Sequence, residues 1–180
     1  VVIGIDDIST KDLFNKRALV KAGVVETDSE SLALHVALSK AMNNWNLRRV
    51  ISFHSRVAKA RKFANDQVLL NEWMPKEYAI KGKLNATTIS SAMPTSKRRQ
   101  ILDVLKNLSE GETGLVSNAR CLTEGIDVPT LDAVVFVDPK TSQVDIIQAI
   151  GRAIRLGGAN KTHGTVVVPI HVPKEKSSKD

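Results

Sequence analysis

Gln148-Ala149-Ile150-Gly151-Arg152-Ala153-Ile154-Arg155, taken with Glu124-Gly125-Ile126-Asp127-Val128-Pro129 upstream, decides the class of this chain. Arg152 and Arg155 are three apart, so on a helix they share one face or its edge. A guanidinium stays charged and offers a planar fork of donors that suits phosphate oxygens. Gly125 lets a ligand come close to the backbone, and the Asp127 carboxylate can accept from a ribose hydroxyl. Together the two segments describe an edge that faces a nucleotide. The chain contains no Gly-x-x-x-x-Gly-Lys-[Ser/Thr] run. The loop that cradles the phosphates would therefore have to come from another domain.

Outward from this stretch, short apolar runs alternate with segments of helical period. Strands are predicted at Val1–Ile5, Val50–Phe53, Leu84–Ser90, Gly114–Ser117, Ala133–Val137 and Thr165–Val172, the last placed at a sheet edge by Pro169. A helix is predicted from Thr10 to Ala22, ended by Gly23. Thr27-Asp28-Ser29-Glu30 has the form of a capping box with Thr27 as N-cap. The helix it opens runs to about Asn43, with Leu34, Leu38, Ala41 and Trp45 on its apolar face. Ser55 is the expected cap of a helix with Val57, Ala60, Ala64 and Val68 inward. Thr95 is the expected cap of one with Ile101, Leu102, Leu105 and Leu108 inward, and Val144–Ile154 forms another. The polar tail 174–180 is expected to be disordered.

Near-continuous apolar strands alternating with helices give an α/β fold, a parallel sheet covered on both faces. No linker divides the chain. Residues 1–173 read as one domain, with 1–48 a leading strand and helices and 49–173 the motif-bearing core. Ligands on such sheets sit at the carboxyl ends of the strands. His54-Ser55-Arg56, Ser90-Ser91, Ser117-Asn118 and Asp138-Pro139 fall there.

The 180 residues carry a net charge of +7, and the pI of about 9.6 favours an anionic partner. The single cysteine, Cys121, excludes an internal disulfide and fits a reducing, cytoplasmic setting. No apolar run approaches the roughly 18 residues of a membrane span. The opening run is too short for a signal peptide. The chain starts without Met and is expected to belong to a longer polypeptide. His35, His54, His163 and His171 are scattered and make no metal constellation with one Cys, so no metal ligand is assigned. His54 alone stands at a strand end, more in keeping with a hydrogen-bonded loop residue than with a base. Trp45 and Trp73 are expected in the core or at a domain interface.

From about Arg49 to Leu156 the chain resembles the second RecA-like domain of superfamily 2 helicases and translocases of the DEAD/DEAH type. Val50-Ile51-Ser52-Phe53-His54-Ser55 is similar to the motif that opens that domain. Met93-Pro94 with Arg98 resembles the loop and helix start that face nucleic acid. Ser90 and Ser91 stand where many relatives have His-Gly. Glu124 to Pro129 resembles the end of the fifth motif, and Gln148 to Arg155 fits the sixth, Gln-x-x-Gly-Arg-x-x-Arg. The wording is closest to helicase-like proteins of the restriction-enzyme and phage type. The loop from Leu115 to Gly125 is one residue longer than in the RNA-helicase branch. The sixth motif begins with Gln148 where RNA helicases commonly have His, which leans toward DNA rather than RNA.

The resemblance implies the second motor domain of an ATP-dependent helicase or translocase. ATP and Mg²⁺ would be held mainly by an N-terminal RecA-like domain of the same polypeptide. Arg152 and Arg155 would serve as arginine fingers on the developing γ-phosphate charge, with Gln148 linking the nucleotide to the nucleic-acid loop. Gly125 and Asp127 would contact the nucleotide. Arg56, Ser91, Arg98, Asn118 and Arg120 would meet the nucleic-acid backbone, contacts that read no sequence. The isolated chain is then expected to be inactive as an ATPase. A basic nucleic-acid-binding module without a motor, or a translocating subunit of a restriction or repair complex, are the alternatives.

Overall fold

The computed structural model describes residues 2–4, 20–22, 25–27, 29–119, 131–138, 151 and 164–168. Strand β1 is Val2–Gly4, β2 is Val20–Ala22 and β3 is Val25–Thr27. Helix α1 spans Ser29–Asn44, followed by β4 (Arg49–His54), α2 (Val57–Trp73) and β5 (Lys83–Ser90). Then come α3 (Thr95–Lys106), β6 (Glu112–Ala119), β7 (Ala133–Phe136) and β8 (Thr165–Val168). Six strands form one sheet in the order β1-β8-β7-β4-β6-β5, every neighbouring pair parallel. Strands β2 and β3 pair antiparallel in a separate ribbon.

Each inner strand buries both faces, which explains its largely apolar character. Ile51, Phe53, Val116, Val134 and Phe136 point to one side, where they pack with Leu102, Leu105 and Leu108 from α3 and the loop after it. Val50, Leu115, Ala133 and Val135 point to the other, against Leu38 and Met42 of α1 and Phe63 of α2. Helix α3 lies so close to β6 that a Cβ at Gly114 would sit 2.5 Å from a Leu105 methyl. Any larger residue there would force the Leu105 side chain to shift.

Several expectations are corrected. Residues 20–22 form β2 rather than the end of a helix; most of the expected helix from Thr10 lies outside the described residues. Thr27 does not cap α1. It closes β3, is buried, and its hydroxyl has no hydrogen-bond partner among the described residues. The ribbon captures the residue that local sequence assigns to the helix. Ser55 does not cap α2 either: the N-cap is Arg56, with no side-chain bond. The N-cap of α3 is Pro94, not Thr95. Strand β8 is not an edge, since β1 and β7 flank it. Trp45 and Trp73 are 47% and 45% exposed, which removes the core alternative for them and leaves the domain interface. On α1, Leu34 is only partly buried, whereas Leu32 and Val36 join Leu70 and Met74 in a third apolar cluster. The expected helix at Val144–Ile154 and the tail lie outside the described residues, except that Gly151 is helical and exposed.

Candidate nucleic-acid interface

Four adjacent strands end level with one another. His54 of β4 is in register with Ala119 of β6, and Ser90 of β5 meets the same residue from the far side. Phe53 of β4 pairs with Phe136 of β7, and the Val137 N–H donates to the Phe53 carbonyl at 3.2 Å. The parallel register thus gathers the carboxyl ends of β7, β4, β6 and β5 along one edge, where Ser55 and Asp138 meet although they are 83 positions apart in sequence.

Arg56 follows β4 and begins α2. Its backbone is extended (φ −134, ψ 145), and its carbonyl accepts from the Ala60 N–H at 3.0 Å. The side chain is exposed and has no hydrogen-bond partner among the described residues. Ser91 is exposed in the turn after β5, where the Met93 N–H donates to the Ser90 carbonyl at 3.1 Å. Arg98 is half-buried on the first turns of α3, and its Nη2 donates to Thr95 Oγ1 at 2.9 Å. Asn118 is buried, in register between Phe53 and Ile89. Its amide sits inside the fold just below the edge. Gln148, Arg152, Arg155, Gly125, Asp127 and Arg120 lie outside the described residues. Among the described residues, no group of three or more His, Cys, Asp or Glu could hold a metal ion. None of their helices is long and apolar enough to cross a membrane.

Two constellations at this edge escaped the sequence. Asp138, just past β7, accepts from the Ser55 N–H and the Ser55 hydroxyl, both at 2.8 Å, and from Lys59 Nζ at 2.8 Å. Burial works to raise its pKa, but the Lys59 and Ser55 hydrogen bonds and the Lys59 charge outweigh it and hold the carboxyl at about 2. The strand-end position of Asp138 and Ser55 was readable; that they meet was not. Beneath them, His54 is buried, its Nε2 3.0 Å from Ser52 Oγ, which lies 3.0 Å from Ser117 Oγ on β6. The Phe63 ring lies 4.9 Å from the His54 ring and 4.5 Å from that of His35. His35 Nδ1 meets Gln67 Oε1 at 2.8 Å, and Gln67 Nε2 donates to Ser39 Oγ at 3.0 Å. Two buried polar groups therefore lie under the edge, Ser39–Gln67–His35 on α1 and α2 and His54–Ser52–Ser117 on β4 and β6, with the Phe63 ring between them. Burial drives the His54 pKa down to about 4; Asp138 pulls it up, while His35 and Lys59 push it further down. His54 is neutral at physiological pH and structural in its contacts.

The helicase conserved C-terminal domain model matches residues 34–157, and the chain belongs to that family. UvrABC system protein B of Thermosipho africanus (strain TCF52B) is 32% identical over 112 residues, which cover 56% of this chain and 16% of that protein. The solved structure of the ATP-dependent Type ISP restriction-modification enzyme LlaBIII bound to DNA is similar at a TM-score of 0.71 and 27% identity. The match covers 96% of this chain and 12% of that one. The Escherichia coli DEAD-box protein SrmB shares the fold at a TM-score of 0.54 and 23% identity, over 77% of this chain and 71% of that one. The chain spans less than a fifth of the length of the first two. The parallel sheet with helices on both faces is the RecA-like fold of helicase C-terminal domains, as the motifs implied.

Proposed function

We propose that this chain is the second motor domain of an ATP-dependent superfamily 2 helicase or translocase whose track is DNA. The observation that carries this is the level edge of β7, β4, β6 and β5, with Arg56 and Ser91 exposed on it and Arg98 beside it. A row of cations and hydroxyls at one edge suits a phosphodiester backbone and reads no bases. The aromatic content of 4% argues against extensive base stacking. The similarity to a DNA-bound restriction-modification enzyme, together with Gln148 at the head of the sixth motif, favours DNA.

In this proposal ATP and Mg²⁺ are held mainly by an N-terminal RecA-like domain of the same polypeptide, in an intracellular setting. Gly125 and Asp127 line the nucleotide from this side, and Gln148 joins that edge to the nucleic-acid loop. Arg152 and Arg155 place positive charge where the γ-phosphate oxygens gain negative charge, and such charge lowers the barrier most in a closed, water-poor cleft. Arg120 joins the backbone contacts; Asn118, expected among them, is buried below the edge and is not exposed to a backbone. Closure of two domains around nucleotide would couple hydrolysis to stepping.

The test measures ATPase turnover by the full-length protein with and without single-stranded DNA, and then with RNA. Stimulation by DNA of any sequence supports the proposal. Turnover indifferent to both nucleic acids removes the motor, and stimulation by RNA alone removes the choice of track.

A further inference from the structure

The contact between the ends of β7 and β4 does more than close the sheet. Asp138 spends one oxygen on both donors of Ser55 and the other on Lys59 Nζ. Ser55 immediately precedes Arg56. On the far side of Arg56, its own carbonyl is tied into the first turn of α2. The Arg56 backbone is thus fixed from both directions, while its guanidinium is left exposed. Lys59 is 57% exposed and Asp138 16% exposed, so the bond lies at the surface where a track would pass.

We propose that Asp138 is a positioning residue for nucleic-acid engagement: it holds the Ser55–Arg56 turn so that Arg56 meets a backbone phosphate. The inference rests on the nucleic-acid role proposed for this edge. Its force lies in the sign of the effect. Removing an acid from a chain of net charge +7 normally strengthens binding to an anion. It would also free Ser55 and Lys59 to meet phosphate themselves. A clamp predicts the reverse, because an unheld Arg56 must be ordered at each binding event. The carboxylate keeps its charge throughout the physiological range, so the clamp does not depend on pH there.

The experiment measures binding of labelled single-stranded DNA to the full-length protein at several salt concentrations by fluorescence anisotropy. Asp138→Ala is expected to weaken binding by roughly three- to tenfold, the scale of one charge-assisted contact. It should lower the magnitude of the salt slope by about one, as Arg56→Ala does. In an Arg56→Ala background it should have no further effect, since both substitutions remove the same contact. Asp138→Asn, which keeps an acceptor for Ser55 and loses the charge facing Lys59, should fall between and guards against a misfolded alanine variant. Tighter binding by a folded Asp138→Ala protein, an unchanged affinity, or losses that add to those of Arg56→Ala would overturn the clamp. Arg98→Ala separates the two levels. If it weakens binding while Asp138→Ala and Asp138→Asn do not, the clamp fails and the interface stands. If neither Arg56→Ala nor Arg98→Ala matters, the interface itself fails, and the clamp with it.

Discussion

Strand β7 is fastened to β4 at both ends by an aspartate, and the two fastenings are used differently. At the amino end, Asp132 Oδ2 accepts the backbone N–H groups of Arg48 and Arg49 at 3.0 and 2.8 Å. The guanidiniums there are consumed by the scaffold. Arg48 donates to the carbonyls of Glu112, at 3.0 Å, and Ser109, while Arg49 donates to that of Lys106 at 3.3 Å, at the end of α3. At the carboxyl end, Asp138 takes the Ser55 backbone and hydroxyl and the Lys59 ammonium, and Arg56 is left without a partner among the described residues. The same acid–turn device closes one edge of the sheet and presents a cation at the other. Arginine in a sequence is therefore ambiguous: its role depends on which end of a parallel strand carries it.

The largest expected effect belongs to Arg155, the proposed arginine finger. In the full-length protein, Arg155→Ala should lower kcat by about 10³ or more, the range of arginine fingers in phosphoryl transfer, with a smaller change in KM. Arg155→Lys should restore little, since an ammonium lacks the planar fork. Arg48→Ala, at the amino edge, should lower the melting temperature and leave turnover by the folded protein close to wild type. Steady-state ATPase assays beside melting curves make the contrast. A folded Arg155→Ala protein with ordinary kcat would break it.

Next in size is the pH dependence of the buried polar group beneath the carboxyl edge. His54 titrates at about 4 in the fold against 6.5 when unfolded. Between those values the unfolded chain binds more protons, so stability rises with pH there. The contribution is complete above 6.5 and is lost as pH falls toward 4, roughly 3 kcal/mol in all at about 1.4 kcal/mol per unit. Asp138 behaves separately. Its depressed value of about 2, against 3.8, means its contribution is present above 3.8 and is lost only as pH falls through 2. Urea melts at pH 7 and pH 4.5 should show the loss in wild type and a flatter profile in His54→Gln. Equal slopes in the two proteins would show that His54 is not the group responsible.

A smaller effect tests the amino-end fastening directly. Asp132→Ala leaves two backbone N–H groups without their acceptor and should cost on the order of 1–3 kcal/mol. DNA affinity of the protein that remains folded should be unchanged. A drop in affinity matching that of Asp138→Ala would erase the distinction between the two ends. Smallest of all, Arg98→Ala should weaken binding a few-fold for every sequence alike and shift stability by less than about 0.5 kcal/mol. Loss confined to one DNA sequence would mean that this edge reads bases.

Much of the fold was legible because strand and helix periods are local. The runs at Val50–Phe53, Leu84–Ser90 and Ala133–Val137 became β4, β5 and β7 within a residue at each end. Leu102 and Leu105 face inward as their spacing required. Caps were poorly legible, because Thr27, Ser55 and Thr95 each met a competitor that the local pattern does not contain. Thr27 entered a ribbon, Ser55 was taken by an aspartate 83 residues away, and Thr95 yielded the N-cap to the proline before it.

The sequence by itself determined the family and the parallel α/β class. Those follow from short-range periodicity and from motifs whose residues are close neighbours in the chain. Only the tertiary structure decided which strands adjoin, and hence which side chains meet. Strand order sets β7 beside β4 and β4 beside β6. That order joins Asp138 to Ser55, Asp132 to Arg48, and Ser52 to Ser117. A hydrogen bond acts over about 3 Å in space and takes no account of distance along the chain, so no window of sequence contains it.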